Sequence, residues 1–147
     1  MLHKISKKFK IKLVEIKVFQ ATDNLQEQLQ RIIDKKVSVD AVYLPLDSFV
    51  VSNAKKVGSA LKKAKIISIG SIKKYIEFGV LMGVVPDYYK LGRAAASILD
   101  KHRKGQSLQS MPIYKPNEPM LVINKTTSRL LKVRIPEKIM EKSLLIN

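Results

Sequence analysis

Cysteine is absent from the 147 residues, which excludes disulfides, thiolate metal ligands and cysteine nucleophiles together. Histidine occurs only as His3, near the amino end, and His102, in the last turn of a predicted helix. Nucleophile–base pairs of the Ser-His or Cys-His kind therefore have almost nothing to work with. The chain also lacks an HExxH zinc motif, an EF-hand loop, a P-loop and a GxGxxG fingerprint. Most of the twelve acids are better assigned to helix caps and helix faces than to a catalytic pair. The composition thus argues against an enzyme, with no catalytic residue, metal site or cofactor to name.

Long apolar runs are missing as well, so no segment reads as a membrane span. The stretch Met1–Lys10 is basic but leads into no apolar core of the kind a secretion signal needs, and as written the chain reads as cytoplasmic. Negative charge is scarce: 28 Lys and Arg against 12 Asp and Glu give a net charge of +16. Such a charge suggests a polyanion, yet only Arg31, Arg93, Arg103, Arg129 and Arg134 are arginines, the residue favoured for base and bidentate phosphate recognition. Lysines are scattered through every segment among apolar positions. They describe a solvated surface with non-specific, salt-sensitive attraction at most, and no specific nucleic-acid partner.

What the chain does have is 46% hydrophobic residues and no repeat, enough for one core, so residues 1–147 are expected to form a single domain. From Lys12 to Gln20, Val14, Ile16 and Val18 alternate with Glu15 and Lys17, predicting a strand with one buried face. Thr22 or Asp23 then caps a helix with Leu25, Leu29, Ile32 and Ile33 on one stripe. Asp40–Pro45 predicts a buried strand stopped by proline, followed by a helix carrying Val50, Ala54, Val57 and Leu61. Ala64–Gly70 predicts a strand, Ser71–Phe78 a short helix and Val80–Val84 another strand. A long helix is expected over Tyr88–Arg103, with Leu91, Ala95, Ile98 and Leu99 inward and Gly105 ending it. This βαβαβαβ order predicts an α/β fold of three layers, a mostly parallel sheet with helices on both faces.

The tail changes character. Met111–Tyr114 and Met120–Ile123 read as strands around a turn at Lys115–Pro119, Asn124 caps a short helix, and Ile135-Pro136-Glu137 opens a last one. Residues 111–147 thus look like an irregular tail that crosses to something else. Ligands of open parallel sheets bind outside the carboxyl ends of the strands, which places Asp47 and Ser48, Gly70 and Ser71, and Asp87 on the ligand edge. The competing reading of Asp47 and Asp87 is helix capping, worth about 0.5–2 kcal/mol each.

Several segments are similar to one family. Val39–Ser48 (VDAVYLPLDS), Gly79-Val80-Leu81, Asp87–Arg93 (DYYKLGR), Leu121–Asn124 (LVIN) and Val133–Glu137 (VRIPE) resemble, in order and spacing, the substrate-binding proteins of ABC transporters with the type I periplasmic-binding-protein fold. The tryptophan- and tyrosine-binding subgroup is the best match. The resemblance covers about Phe9 to the end and matches the carboxy-terminal lobe. It implies a two-lobed, periplasmic or extracytoplasmic protein that closes on a small ligand, often an aromatic amino acid, and delivers it to an ABC permease. By position it gives Asp47 the ligand's ammonium group, with Ser48, Gly70 and Ser71 adding hydrogen bonds. Departures are Ile72-Lys73 where many relatives carry acids, and Leu46 and Ser48 where Thr and Asn are usual.

The resemblance further implies that the other lobe and the first strand of this one are not among these residues. That strand would lie between Lys12–Gln20 and Ala41–Leu44, so either the first segment shifts inward or another chain fills the gap, as in a homodimer. A repurposed oligomerising or regulatory interaction module without transport is the alternative function for the same lobe.

Overall fold

Short apolar runs bounded by proline, glycine or a helix cap form the strands, and they pair in the order in which they occur. The computed structural model describes residues 2–116 and 119–147. Along the chain run α1 (Leu2–Lys8), α2 (Leu25–Ile33), β1 (Ala41–Leu44), α3 (Ser48–Ser52), α4 (Ala54–Ala64), β2 (Ile67–Gly70) and α5 (Lys73–Glu77). Then follow β3 (Met82–Val85), α6 (Tyr88–Arg103), β4 (Met120–Asn124), α7 (Lys125–Leu130), α8 (Glu137–Met140) and β5 (Ser143–Ile146). The sheet order is β1-β2-β3-β4-β5, parallel throughout except for the antiparallel β3–β4 pair. This is the mixed, mostly parallel α/β class expected from the element order.

Register decides which side chains reach the core. With Leu44 opposite Gly70 and Met82 opposite Ile69, one face of the sheet carries Leu44, Ser68, Gly70, Gly83, Val85 and Val122, all buried. Against it pack Val57 and Leu61 of α4, Tyr75 and Ile76 of α5, and Leu25, Leu29 and Ile32 of α2. Full burial of each such apolar side chain contributes about 1.5–3 kcal/mol. β2 and β3 approach so closely that a Cβ on Gly83 would lie 2.1 Å from the Gly70 carbonyl oxygen, so only glycine fits there. On the opposite face Ile123 is buried, whereas Ala41, Tyr43, Ile67, Ile69 and Val84 are exposed.

Helix ends repeat one device. After α1, α2, α4 and α7 the chain turns through Lys10, Lys35, Lys65 and Lys132, each with φ between 54° and 57°. In every case two backbone bonds close the end, as in Lys65 N–H to Leu61's neighbour Lys62 C=O and Ile66 N–H to Leu61 C=O. Gly105, at φ 92°, ends α6 in the same way, as its position predicts.

Several expected elements are displaced or absent. Residues 11–19 join no ladder, so the strand expected over Lys12–Gln20 does not form: Ile16 and Val18 pack on the core, while Asn24 Oδ1 accepts from Phe19 N–H at 2.8 Å and its Nδ2 donates to the Lys17 carbonyl at 3.4 Å. The segment has not shifted inward onto β1. Met111–Tyr114 also forms no strand, since Pro112 offers no N–H and no neighbouring strand is at hand. The turn expected at Lys115–Pro119 includes Asn117 and Glu118, which lie outside the described residues. α2 begins after Asn24 rather than with a Thr22 or Asp23 cap, because Asp23 takes a left-handed conformation at φ 41°. The helix expected after Asp47 breaks at Asn53 into α3 and α4. α6 spans the expected residues, but none is buried; Ala95 and Leu99 face solvent and only Leu91, Ala94 and Ile98 are half-buried.

The carboxyl end of β4 is tied down by Asn124, 3% exposed. Its Oδ1 accepts from Thr127 N–H at 2.8 Å, capping α7, and its Nδ2 donates to the Ile76 carbonyl of α5 at 2.9 Å. Asn124→Ala removes both bonds and leaves their partners buried. Urea denaturation is expected to show a loss of about 2–4 kcal/mol, with Asn124→Asp intermediate because it keeps the cap alone.

Candidate functional site

The carboxyl ends of β1 and β2 lie side by side because Leu44 pairs with Gly70, and the ladder continues one step further with Ser71 N–H donating to Leu44 C=O at 3.1 Å. That brings four of the five sequence-predicted residues, Asp47, Ser48, Gly70 and Ser71, to one stretch of sheet edge. Asp87 follows β3. It lies in a different depression of about 440 Å³, lined also by Pro86 and Lys90 and, from farther along the chain, by Tyr114 and Pro119.

Both aspartates cap helices. Asp47, in extended conformation, accepts from Val50 N–H at 2.9 Å through Oδ1, and Asp87 accepts from Lys90 N–H at 3.1 Å. A carboxylate that caps through one oxygen keeps acceptor capacity on the other, so capping and ligand contact are compatible. Asp47 and Ser48 are exposed and Asp87 is half-buried, while Leu46 beside them is 71% exposed.

Ser71 differs from these. Its Oγ is buried and has no hydrogen-bond partner. A hydroxyl in that state forfeits about 1–3 kcal/mol unless something else completes it. Gly70 is held by its neighbour: a Cβ there would meet Tyr75 Cβ at 2.8 Å.

Tyr75 was not singled out by the sequence, and it organises this edge. Its side chain is fully buried, and its hydroxyl donates to the Pro45 carbonyl at 3.1 Å. Burial, and secondarily the negative charge of Asp47, push its pKa up to about 12 from 10.0. Tyr114 was expected in a strand and instead lines the depression beside Asp87. No sequence signal marks either residue, since each acts through a neighbour far along the chain. Among the described residues no group of His, Asp and Glu is placed to hold a metal ion. No helix among the described residues is long and apolar enough to cross a membrane.

The raised pKa of Tyr75 fixes a sign. The native state holds this proton more tightly than the unfolded chain, so its stabilising contribution is complete below pH 10 and is lost as pH rises from 10 to 12. Tyr75→Phe is expected to lower stability by about 0.5–1.5 kcal/mol at neutral pH. It should also flatten the alkaline limb relative to the native sequence, as read by denaturation midpoints at stepped pH.

A family model described as ABC transporter substrate binding protein matches residues 1–144. Among curated proteins, the tyrosine-binding protein of Clostridioides difficile (strain R20291) is 26% identical over 133 residues, which is 90% of this chain and 37% of that protein. Among solved structures, a conserved domain protein of Vibrio cholerae O1 biovar eltor superposes with a TM-score of 0.79 at 27% identity, covering 99% of this chain and 48% of the other. An ABC domain from Streptococcus pneumonia in complex with L-Trp gives a TM-score of 0.74 at 24% identity, covering 97% of this chain and 50% of the other, a likeness of fold. The chain spans about half the length of these solved relatives and just over a third of the curated one.

Proposed function

Since the chain belongs to the ABC transporter substrate-binding protein family, we propose that it forms one wall of a ligand cleft for a small amino acid, aromatic by preference, destined for an ABC permease. The family binds small molecules such as amino acids outside the cytoplasm and works with ABC permeases. Its members bind and release; they are substrate-binding proteins rather than enzymes. The names of two matches, a tyrosine-binding protein and a complex with L-Trp, support the aromatic preference.

The observation that carries this reading is the buried, unpartnered Ser71 hydroxyl at the β2 edge, beside the β1 edge that bears Asp47. A ligand that supplies a polar atom to Ser71 and an ammonium group to Asp47 completes the first and neutralises the second. Asp47 takes the ammonium through its non-capping oxygen, in a charge-assisted bond of about 1.5–3 kcal/mol once water is excluded. Ser48 and the Gly70 backbone, on the same edge, would add orienting bonds, and exposed Leu46 would offer an apolar surface to a ring. Asp87, with Tyr114, lines the neighbouring depression rather than this stretch of edge. A single wall leaves a ligand half in water, which weakens each of these bonds.

Titration calorimetry with L-Tyr, L-Trp and L-Phe, against L-Lys and L-Glu as controls, tests the reading. Binding weaker than about 100 μM is expected for the aromatic set and none for the controls. Asp47→Asn preserves a good cap and should weaken binding about 10- to 100-fold with little loss of stability. Ser71→Ala should weaken binding while raising the denaturation midpoint, because it deletes an unsatisfied buried hydroxyl. Unchanged affinity in both variants overturns the assignment.

A further inference from the structure

Lysines are scattered over the whole chain, but one stretch concentrates them. Residues 1–14 contain no Asp or Glu, and the first arginine is Arg31. Lys7, Lys8, Lys10 and Lys12 are all exposed, and no carboxylate of the described residues pairs with them. Between and beside them stand large apolar side chains that also face outward: Phe9 is 62% exposed, Ile11 55% and Leu13 40%. Large exposed apolar side chains rimmed by charge mark an interaction surface.

The backbone of this stretch is held by its own bonds. α1 ends in the left-handed turn at Lys10, where Lys10 N–H donates to the Lys7 carbonyl at 3.4 Å and Ile11 N–H to the Ser6 carbonyl at 2.8 Å. Ser6 is buried, while Lys7 and Lys8 after it are exposed. Lys8 Nζ lies 5.7 Å from the centroid of the Phe9 ring, which puts cation and apolar surface in a single patch.

We propose that the patch from Lys7 to Leu13 is a docking surface for an anionic lipid bilayer. The lysines lie against the headgroups, and Phe9, Ile11 and Leu13 enter the boundary between headgroups and acyl chains. Three features choose lipid over other occupants. Basic charge interleaved with large apolar side chains suits a surface that offers anionic heads above hydrocarbon. The cores of protein–protein interfaces are depleted in lysine, and a second copy of the chain brings the same positive patch. Nucleic acid is held chiefly through arginine and stacked aromatic rings, and the patch has no arginine and one ring. Attachment of this kind does not depend on a ligand at Asp47.

The full chain is mixed with vesicles of phosphatidylcholine alone, or of phosphatidylcholine with about one-third phosphatidylserine. Cosedimentation is expected with the anionic vesicles only, and it should be lost in about 1 M salt, where the Debye length falls to about 3 Å. Each lysine near such a surface contributes about fivefold, so Lys7→Gln, Lys8→Gln and Lys12→Gln together should weaken binding about a hundredfold. The same charge removed from exposed positions near the carboxyl end, by Arg134→Gln, Lys138→Gln and Lys142→Gln, should weaken it less than about threefold. Phe9→Ser with Ile11→Ser, both at exposed positions, should weaken binding about tenfold and leave the melting temperature unchanged. Because the chain has no tryptophan, Phe9→Trp reports insertion directly. Its emission should shift to the blue and be quenched by brominated acyl chains, whereas Tyr89→Trp, at another exposed position, should do neither. No binding to anionic vesicles, equal losses from the two sets of charge changes, or a Phe9→Trp emission that stays solvent-like on the vesicle would each overturn the proposal. So would tighter binding to a DNA duplex than to vesicles, with the same dependence on Lys7, Lys8 and Lys12.

Discussion

The bond from the Tyr75 hydroxyl to the Pro45 carbonyl joins residues 30 positions apart, and the sheet edge that bears Asp47 and Ser71 depends on it. Pro45 ends β1 because it has no N–H for the ladder, and its carbonyl remains as an acceptor just past the strand. Tyr75 satisfies that carbonyl from α5, the helix that follows β2. The turn after one strand is thus pinned to the helix after the next, and Asp47 and Ser71 come to the same edge. Burial keeps the phenol neutral far above physiological pH, so the donor proton is always present. Close packing around it extends the constraint: Gly70 gives way to the Tyr75 ring, and Gly83 gives way to the Gly70 carbonyl.

Features set by local chemistry were legible in the sequence. Pro45 stops β1, Asp47, Asp87 and Asn124 cap the helices that follow them, and Gly105 ends a helix spanning the expected Tyr88–Arg103. Features that need a second element were not. Alternation over residues 12–20 reports that one side is apolar, not that a strand lies alongside. Periodicity in α6 gives a stripe, and Leu99 on it is 59% exposed because nothing among these residues covers it. β5 escaped notice because Ser143–Ile146 has too few residues for either period to show, and its pairing with β4 is set by α7 and α8 between them.

The candidate site divides along the same line. The strand-edge rule located Asp47, Ser48, Gly70, Ser71 and Asp87 without coordinates. It could not separate Asp87, which belongs with Tyr114 in a neighbouring depression, from the four that cluster. Nor could it reveal that, among the described residues, Ser71 has a buried hydroxyl without a partner, since that depends on packing by residues distant in the chain.

Lysine at four left-handed helix ends has a consequence for behaviour in solution. Glycine is the unstrained residue at such positions, and a side chain there costs about 1 kcal/mol. Lys10, Lys35, Lys65 and Lys132 accept that cost and place a cation at the negative end of each helix, out in solvent. The charges are therefore fixed to the scaffold at its rim rather than carried on loops. With so much apolar sheet uncovered, the net charge of +16 sets mutual repulsion between chains against their association in water. Because the Debye length shrinks from about 30 Å at 0.01 M salt to about 3 Å at 1 M, that colloidal protection is a property of the buffer as much as of the fold.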